Sequence, residues 1–162
     1  MKSSQSTIYK PQSSLTPLDY AYRLLARRAH SEQELADTLL AKGFTAAAVT
    51  RTVVRLKTQG YLDDVRLAAD QAERLRTRGF GAEGIKAKLA QKGLPPETIA
   101  QTLETGRENQ DLESAQRLLA SRFSTDALKQ SQIHARAYRL LLRRGYSQEV
   151  VESVLGSTRE DT

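Results

Sequence analysis

The chain of 162 residues has no cysteine and no tryptophan, only four prolines, and an aromatic fraction of 6%. Without thiols there is no disulfide framework, no thiolate nucleophile and no cysteine-ligated metal site. No apolar run approaches the length that crosses a bilayer. The opening residues, Met1-Lys2-Ser3-Ser4-Gln5-Ser6, lack the apolar centre of a secretory signal. The expected location is therefore the cytoplasm, with no membrane contact. Runs that alternate apolar and polar residues between turns are missing as well, so the sequence offers no strand.

Charge is abundant. Lysine and arginine number 25 against 19 acids, for a net charge of +6, which favours an acidic partner, either nucleic acid or an acidic protein surface. The excess is spread out, at +2 over residues 1–16, +3 over 17–60, zero over 61–106 and +1 over 107–162. No segment is a polybasic tail. Seventeen of the cations are arginine, whose planar fork pairs with carboxylate or phosphate.

Residues 1–15, rich in Ser and Gln, read as a disordered tail. Order begins at Thr16-Pro17-Leu18-Asp19, where an N-cap, a proline preset for the first helical position and a first-turn acid stand together. Ser31-Glu32-Gln33-Glu34 fits a capping box ahead of Leu35, Leu39 and Leu40, and Gly43 ends that helix. A third helix runs from about Thr45 to Gln59. The design then restarts. A shift of 50 residues lays Leu25, Leu35, Leu39, Gly43, Val49 and Val53 on Leu75, Ile85, Leu89, Gly93, Ile99 and Leu103. A further shift of 52 lays Leu89, Gly93, Leu94, Ile99 and Leu103 on Leu141, Gly145, Tyr146, Val151 and Leu155. The reading is an all-α chain of three tandem three-helix, helix-turn-helix-like repeats over 16–60, 61–106 and 107–162, the last with a frayed C-terminus. Its third repeat contains a long helix from Asp126 to Arg144. Units this small lean on their neighbours, so the array is expected to be elongated and curved, and monomeric, with a long lateral surface.

Gly79-Phe80-Gly81-Ala82-Glu83-Gly84 matches G-x-G-x-x-G, yet that fingerprint needs a preceding strand, and Ala68–Arg78 reads as helix. Gly79 ends one helix and Gly81 opens the next. Asp63-Asp64 reads as an N-cap and a first-turn acid, since adjacent helical residues do not face each other. His30 and His134 are far apart, and His30 reads as a polar loop residue. Nothing points to catalysis, a cofactor or a metal. The candidate binding residues are basic ones at helical neighbour spacing: Arg23 and Arg27, Arg51 and Arg55, Arg74 and Arg78, Lys88 and Lys92, and the stripe Arg136, Arg139 and Arg143. Interspersed acids such as Glu32, Glu73, Glu104 and Glu149 fit a protein partner with a negative groove better than bare DNA.

Four stretches resemble the RecX regulators of the bacterial recombinase RecA. Arg27-Arg28-Ala29-His30-Ser31-Glu32-Gln33-Glu34-Leu35 is similar to R-R-x-x-S-x-x-E-L, and Gly60 to Ala68 is similar to G-[YF]-L-[DN]-D-x-R-[FL]-A. Arg78-Gly79-Phe80-Gly81 with Lys86 to Gly93 resembles R-x-x-G-x-x-x-I-x-x-x-L-x-x-K-G, and Leu142 to Ser147, with Leu141 ahead of them, resembles L-x-[RK]-[RK]-G-[FY]-[SP]. The departures are Gly84, where the family often has Arg, and Leu67, where Phe is common. The resemblance implies a non-enzymatic modulator, mainly an inhibitor, that lies in the groove of the RecA–DNA filament. There it would restrain filament extension, ATP hydrolysis, strand exchange and co-protease activity, meeting DNA weakly or through RecA. The competing reading is a direct DNA binder of helix-turn-helix type, with Arg51 and Arg55 on a third helix facing a groove. On either reading the purified chain retains no dinucleotide or ATP, which ultraviolet absorbance of the protein, followed by chromatography of its acid extract, checks directly.

Overall fold

Nine α-helices, one short 3-10 turn and no strand make up the described residues, 15–104 and 109–156, of the computed structural model of this chain. They fall into three modules. The first holds α1 (Pro17–Leu25), α2 (Glu32–Ala41) and α3 (Ala46–Thr58). The second holds α4 (Asp64–Thr77), α5 (Ala82–Gln91) and α6 (Pro96–Glu104). The third holds α7 (Asn109–Arg122), the 3-10 turn Ala127–Lys129, α8 (Ser131–Arg143) and α9 (Gln148–Leu155). The tail expected over 1–15, apart from Leu15, lies outside the described residues, as do Gly106 and the expected fraying over 157–162.

The helix starts follow their side chains. Thr16 accepts from the Asp19 N–H at 3.1 Å while Asp19 accepts from the Thr16 N–H at 3.1 Å, a complete capping box. Asp63 caps α4 through the Arg66 N–H at 2.9 Å, and Ser147 caps α9 through the Val150 N–H at 3.3 Å. Ser31 caps α2 through the Glu34 N–H at 3.0 Å. The box expected there is only half made. Glu34 turns instead to Arg28, which grips it with two guanidinium bonds of 2.8 and 2.7 Å, because a charged fork is a stronger donor than the N-cap amide.

The middle helix of every module stops in the same way. Gly43, Gly93 and Gly145 take the left-handed φ values +98°, +72° and +79°. The next residue then donates back into the helix: Phe44 to the Leu39 carbonyl, Leu94 to Leu89 and Tyr146 to Leu141. Without a glycine this stop is strained. It also places an apolar side chain back on the core. Three separate cores result, centred on Leu35, Leu39 and Leu56, on Ile85, Leu89 and Ile99, and on Leu119, Leu141 and Val151.

One helix is shorter than its sequence suggests. The long helix expected from Asp126 to Arg144 is broken at Gln130, whose ψ of 127° is extended. Ahead of it Asp126 and Lys129 pair at 2.8 Å across the 3-10 turn. The local turn and its ion pair use up the residues that would have begun the helix.

Leu39, Leu89 and Leu141 are all 0% exposed, as the repeat register requires. Leu→Ala at any one should cost about 2–5 kcal/mol, read as a lowered midpoint in chemical denaturation.

Candidate partner-binding surface and the joints that carry it

Successive modules meet at two joints of one design. In each, the N-terminal end of a middle helix presses against the glycine turn and the first helix of the next module. At the first joint the Glu32 N–H donates to Asp64 Oδ1 at 3.0 Å, and the Ser31 hydroxyl donates to the Lys92 carbonyl, beside Gly93. At the second, the Ala82 N–H donates to Asp111 Oδ2 at 2.8 Å, and the Gly81 N–H donates to the Arg144 carbonyl at 3.0 Å. Amides at a helix start have no partner within the helix, so a carboxylate from the neighbouring module completes each one. Both aspartates are buried, and burial pushes both carboxyls above their ordinary value while the amide bond opposes that rise.

The second joint is the closer. Glu83 donates its N–H to the Gly145 carbonyl at 3.1 Å, so backbone meets backbone. A Cβ on Gly84 would strike the Arg144 carbonyl, and one on Gly81 would strike the Gly145 carbonyl. The glycine motif that mimics a dinucleotide fingerprint is thus a packing device. Ser114 donates to the Arg76 carbonyl at 3.0 Å and so accepts from the Tyr146 phenol at 2.8 Å. Arg144 bonds the Arg78 carbonyl at 2.8 Å with its guanidinium 4.6 Å from the Phe80 ring centroid. Nothing of this density ties the first joint, where a groove of about 670 Å³ opens between Glu32, Lys57, Asp64 and Pro95.

The basic residues singled out from the sequence do not converge on one site. Arg23, Arg27, Arg51, Arg55, Arg74, Arg78, Arg136, Arg139 and Arg143 are all exposed, and among the described residues none forms an ion pair within 4.0 Å. Lys88 and Lys92 are half-buried. Lys88 lies 4.8 Å from the Phe80 ring centroid, on a ring that Arg144 also contacts, and Lys92 lends its carbonyl to the first joint. The pairing by helical spacing is looser than expected. Arg27 falls in the turn after α1, while Arg78 and Lys92 cap the ends of α4 and α5. Arg51 and Arg55 do share a shallow groove, with the start of α1. In the third module Arg136 and Arg143 line a groove without Arg139, whose Nε bonds the Ala135 carbonyl at 3.2 Å. Arg122, from the end of α7, joins them; spacing along one helix could not have found it. Among the described residues no three His, Cys, Asp or Glu side chains gather as a metal site, and no helix is long and apolar enough to cross a membrane.

Three family models match the chain in order: the first three-helix domain of RecX over residues 18–56, the second over 63–103 and the third over 108–155. The chain belongs to the RecX family. It is 35% identical over 131 residues to the regulatory protein RecX of Xanthomonas campestris pv. campestris (strain B100), covering 81% of this chain and 80% of that one. The RecX of Xanthomonas axonopodis pv. citri (strain 306) is 35% identical over 146 residues, covering 90% and 88%. In fold it is similar to the crystal structure of RecX from Lactobacillus salivarius, with a TM-score of 0.71 at 16% identity over 86% of this chain and 92% of that one.

The RecX-like stretches fall mainly on the architecture. Arg28 and Glu34 clasp each other, Ser31 caps a helix and bonds across a joint, and His30 is buried with Nδ1 2.9 Å from the Arg28 carbonyl. Asp63 is the cap expected of it. Asp64 does more than serve as a first-turn acid, since it reaches into the preceding module. Gly84, the departure from the usual Arg, packs under the Arg144 carbonyl at the C-cap of α8.

The buried aspartates have a measurable signature. The folded pKa of Asp111 lies above its ordinary 3.8, so its contribution to stability is fully present below that value and is lost as pH rises through the folded pKa. Asp111→Asn keeps an acceptor and removes the charge. Its melting temperature should exceed that of the parent at neutral pH, with the gap closing as acid protonates Asp111. Asp111→Ala leaves the Ala82 N–H without its acceptor and should cost about 1–3 kcal/mol throughout; thermal melts at a series of pH values compare all three.

Proposed function

We propose that this chain is a non-enzymatic regulator of RecA that lies along the groove of the RecA–DNA filament and restrains filament extension, ATP hydrolysis, strand exchange and co-protease activity. One observation carries the reading: all three RecX domains are present in order, with their signature residues spent on caps and joints while Arg51, Arg55, Arg136, Arg139 and Arg143 are exposed and, among the described residues, have no acid within 4.0 Å. A frame that keeps its charge on its lateral faces suits a long acidic groove better than a pocket. Binding is distributed, with Arg51 and Arg55 in the first module and Arg136, Arg139 and Arg143 in the third acting together, on a monomeric chain in the cytoplasm.

The second reading, direct DNA binding, is favoured by the exposed position of Arg51 and Arg55 on α3. Salt separates the two. A phosphate binder loses bare DNA steeply as salt rises, whereas a filament regulator prefers RecA-coated DNA at equal salt. Co-sedimentation with RecA assembled on single-stranded DNA, with bare DNA as control, is the decisive assay.

Replacing Arg136, Arg139 and Arg143 by Ala should leave the melting temperature nearly unchanged, since exposed charges add little stability. Inhibition of RecA-driven ATP hydrolysis should weaken, and Arg51→Ala with Arg55→Ala should add to the loss. Intact inhibition in both folded variants would move the contact surface elsewhere.

A further inference from the structure

We propose that the groove of the third module is a binding notch for single-stranded nucleic acid, with Arg122, Arg136 and Arg143 holding its phosphates and an apolar floor receiving its bases. This deepens the filament reading by giving the chain a point of contact with the strand itself.

The notch has a volume of about 390 Å³. Its walls come from two helices distant in sequence: Arg122 ends α7, while Arg136 and Arg143 stand two turns apart on one side of α8. All three are exposed, and among the described residues none has a carboxylate within 4.0 Å. Among the described residues no acid lines the groove. The acid of the adjoining loop, Asp126, is occupied by Lys129 at 2.8 Å. A cleft walled by one sign of charge concentrates counter-charge inside it, and arginine forks take phosphate oxygens in pairs.

The floor decides which anion fits. Phe123, Ile133 and Leu140 line the notch together with the three arginines, each half-buried in the module. An acidic peptide would bring carboxylates and little to set on that floor. A single strand brings both halves, with phosphates along one edge and unstacked base faces along the other. Duplex DNA offers the phosphates but keeps its bases inside the stack. The notch therefore prefers a single strand.

Fluorescence anisotropy of the full-length protein with a labelled oligothymidylate of about 15 nucleotides, over a range of salt, tests this. The parent should bind it, and should bind duplex of the same length more weakly. Arg122→Ala/Arg136→Ala/Arg143→Ala should lose about tenfold or more in affinity, and the slope of log K against log salt should shrink by about 2, the value for three phosphate contacts on a single strand. Arg66→Ala/Lys86→Ala/Arg117→Ala removes the same charge from elsewhere and should lose less than about threefold, through the long-range field alone. Equal losses in the two variants would overturn the proposal in favour of diffuse charge. Equal affinity for duplex would remove the role of the apolar floor, and polyglutamate displacing the strand at matched charge would assign the notch to an acidic protein. No binding by the parent at low salt would end the proposal outright. Co-sedimentation of the notch variant with RecA filaments is read separately. Retained sedimentation with lost strand binding supports the notch and keeps the filament reading, while failure of the parent to sediment with filaments despite binding the strand overturns that reading alone.

Discussion

A helix that begins against a neighbouring module carries amide hydrogens into a place with little water to receive them. The architecture depends on meeting that demand twice. Asp64 and Asp111 each cross a module boundary to accept one such amide, from Glu32 and from Ala82. Each carboxylate is buried to do so, and the cost of desolvating it is set against an amide that would otherwise be left without a partner. Three small cores that are marginal alone are thereby linked through polar contacts, without one continuous hydrophobic interface.

The two joints share a plan and differ in stiffness. At the first, the Ser31 side chain mediates the approach and leaves a groove beside it. At the second, glycines at 81, 84 and 145 let two backbones touch, and Arg144 adds both a hydrogen bond and a ring contact. Fewer and longer-armed contacts hold the first boundary, which is the less constrained of the two.

Much of this could be read along the chain. Helix starts at Thr16, Asp63 and Ser147 and stops at Gly43, Gly93 and Gly145 follow from local chemistry, and the equivalence of Leu39, Leu89 and Leu141 follows from register alone. The joints could not be read. Asp64 looks like any first-turn acid until Glu32, far back in the sequence, is found beside it. Gly84 looks like a lost arginine until the Arg144 carbonyl is found over it. Glu34 fits a capping box by spacing, and only the folded loop brings Arg28 close enough to claim it. The arginine stripe on α8 was legible as periodicity, yet its partner Arg122 comes from another helix, and Arg139 belongs elsewhere. Short-range rules place elements; contacts between elements assign the side chains their tasks.

A head-to-tail contact has a direction, and a direction gives an array two unlike ends. Gly93 receives Gln33 and Gly145 receives Gly84, but a Cβ at Gly43 would meet nothing within 4 Å among the described residues. The acid of the first turn in the first module, Asp19, is folded back onto Thr16. In the third module α8 starts at Ser131, and its N-cap Gln130 makes no side-chain cap bond. Each joint has a giving side and a receiving side, and the middle module carries both: its Ala82 amide goes to Asp111 while its own Asp64 takes the amide of Glu32.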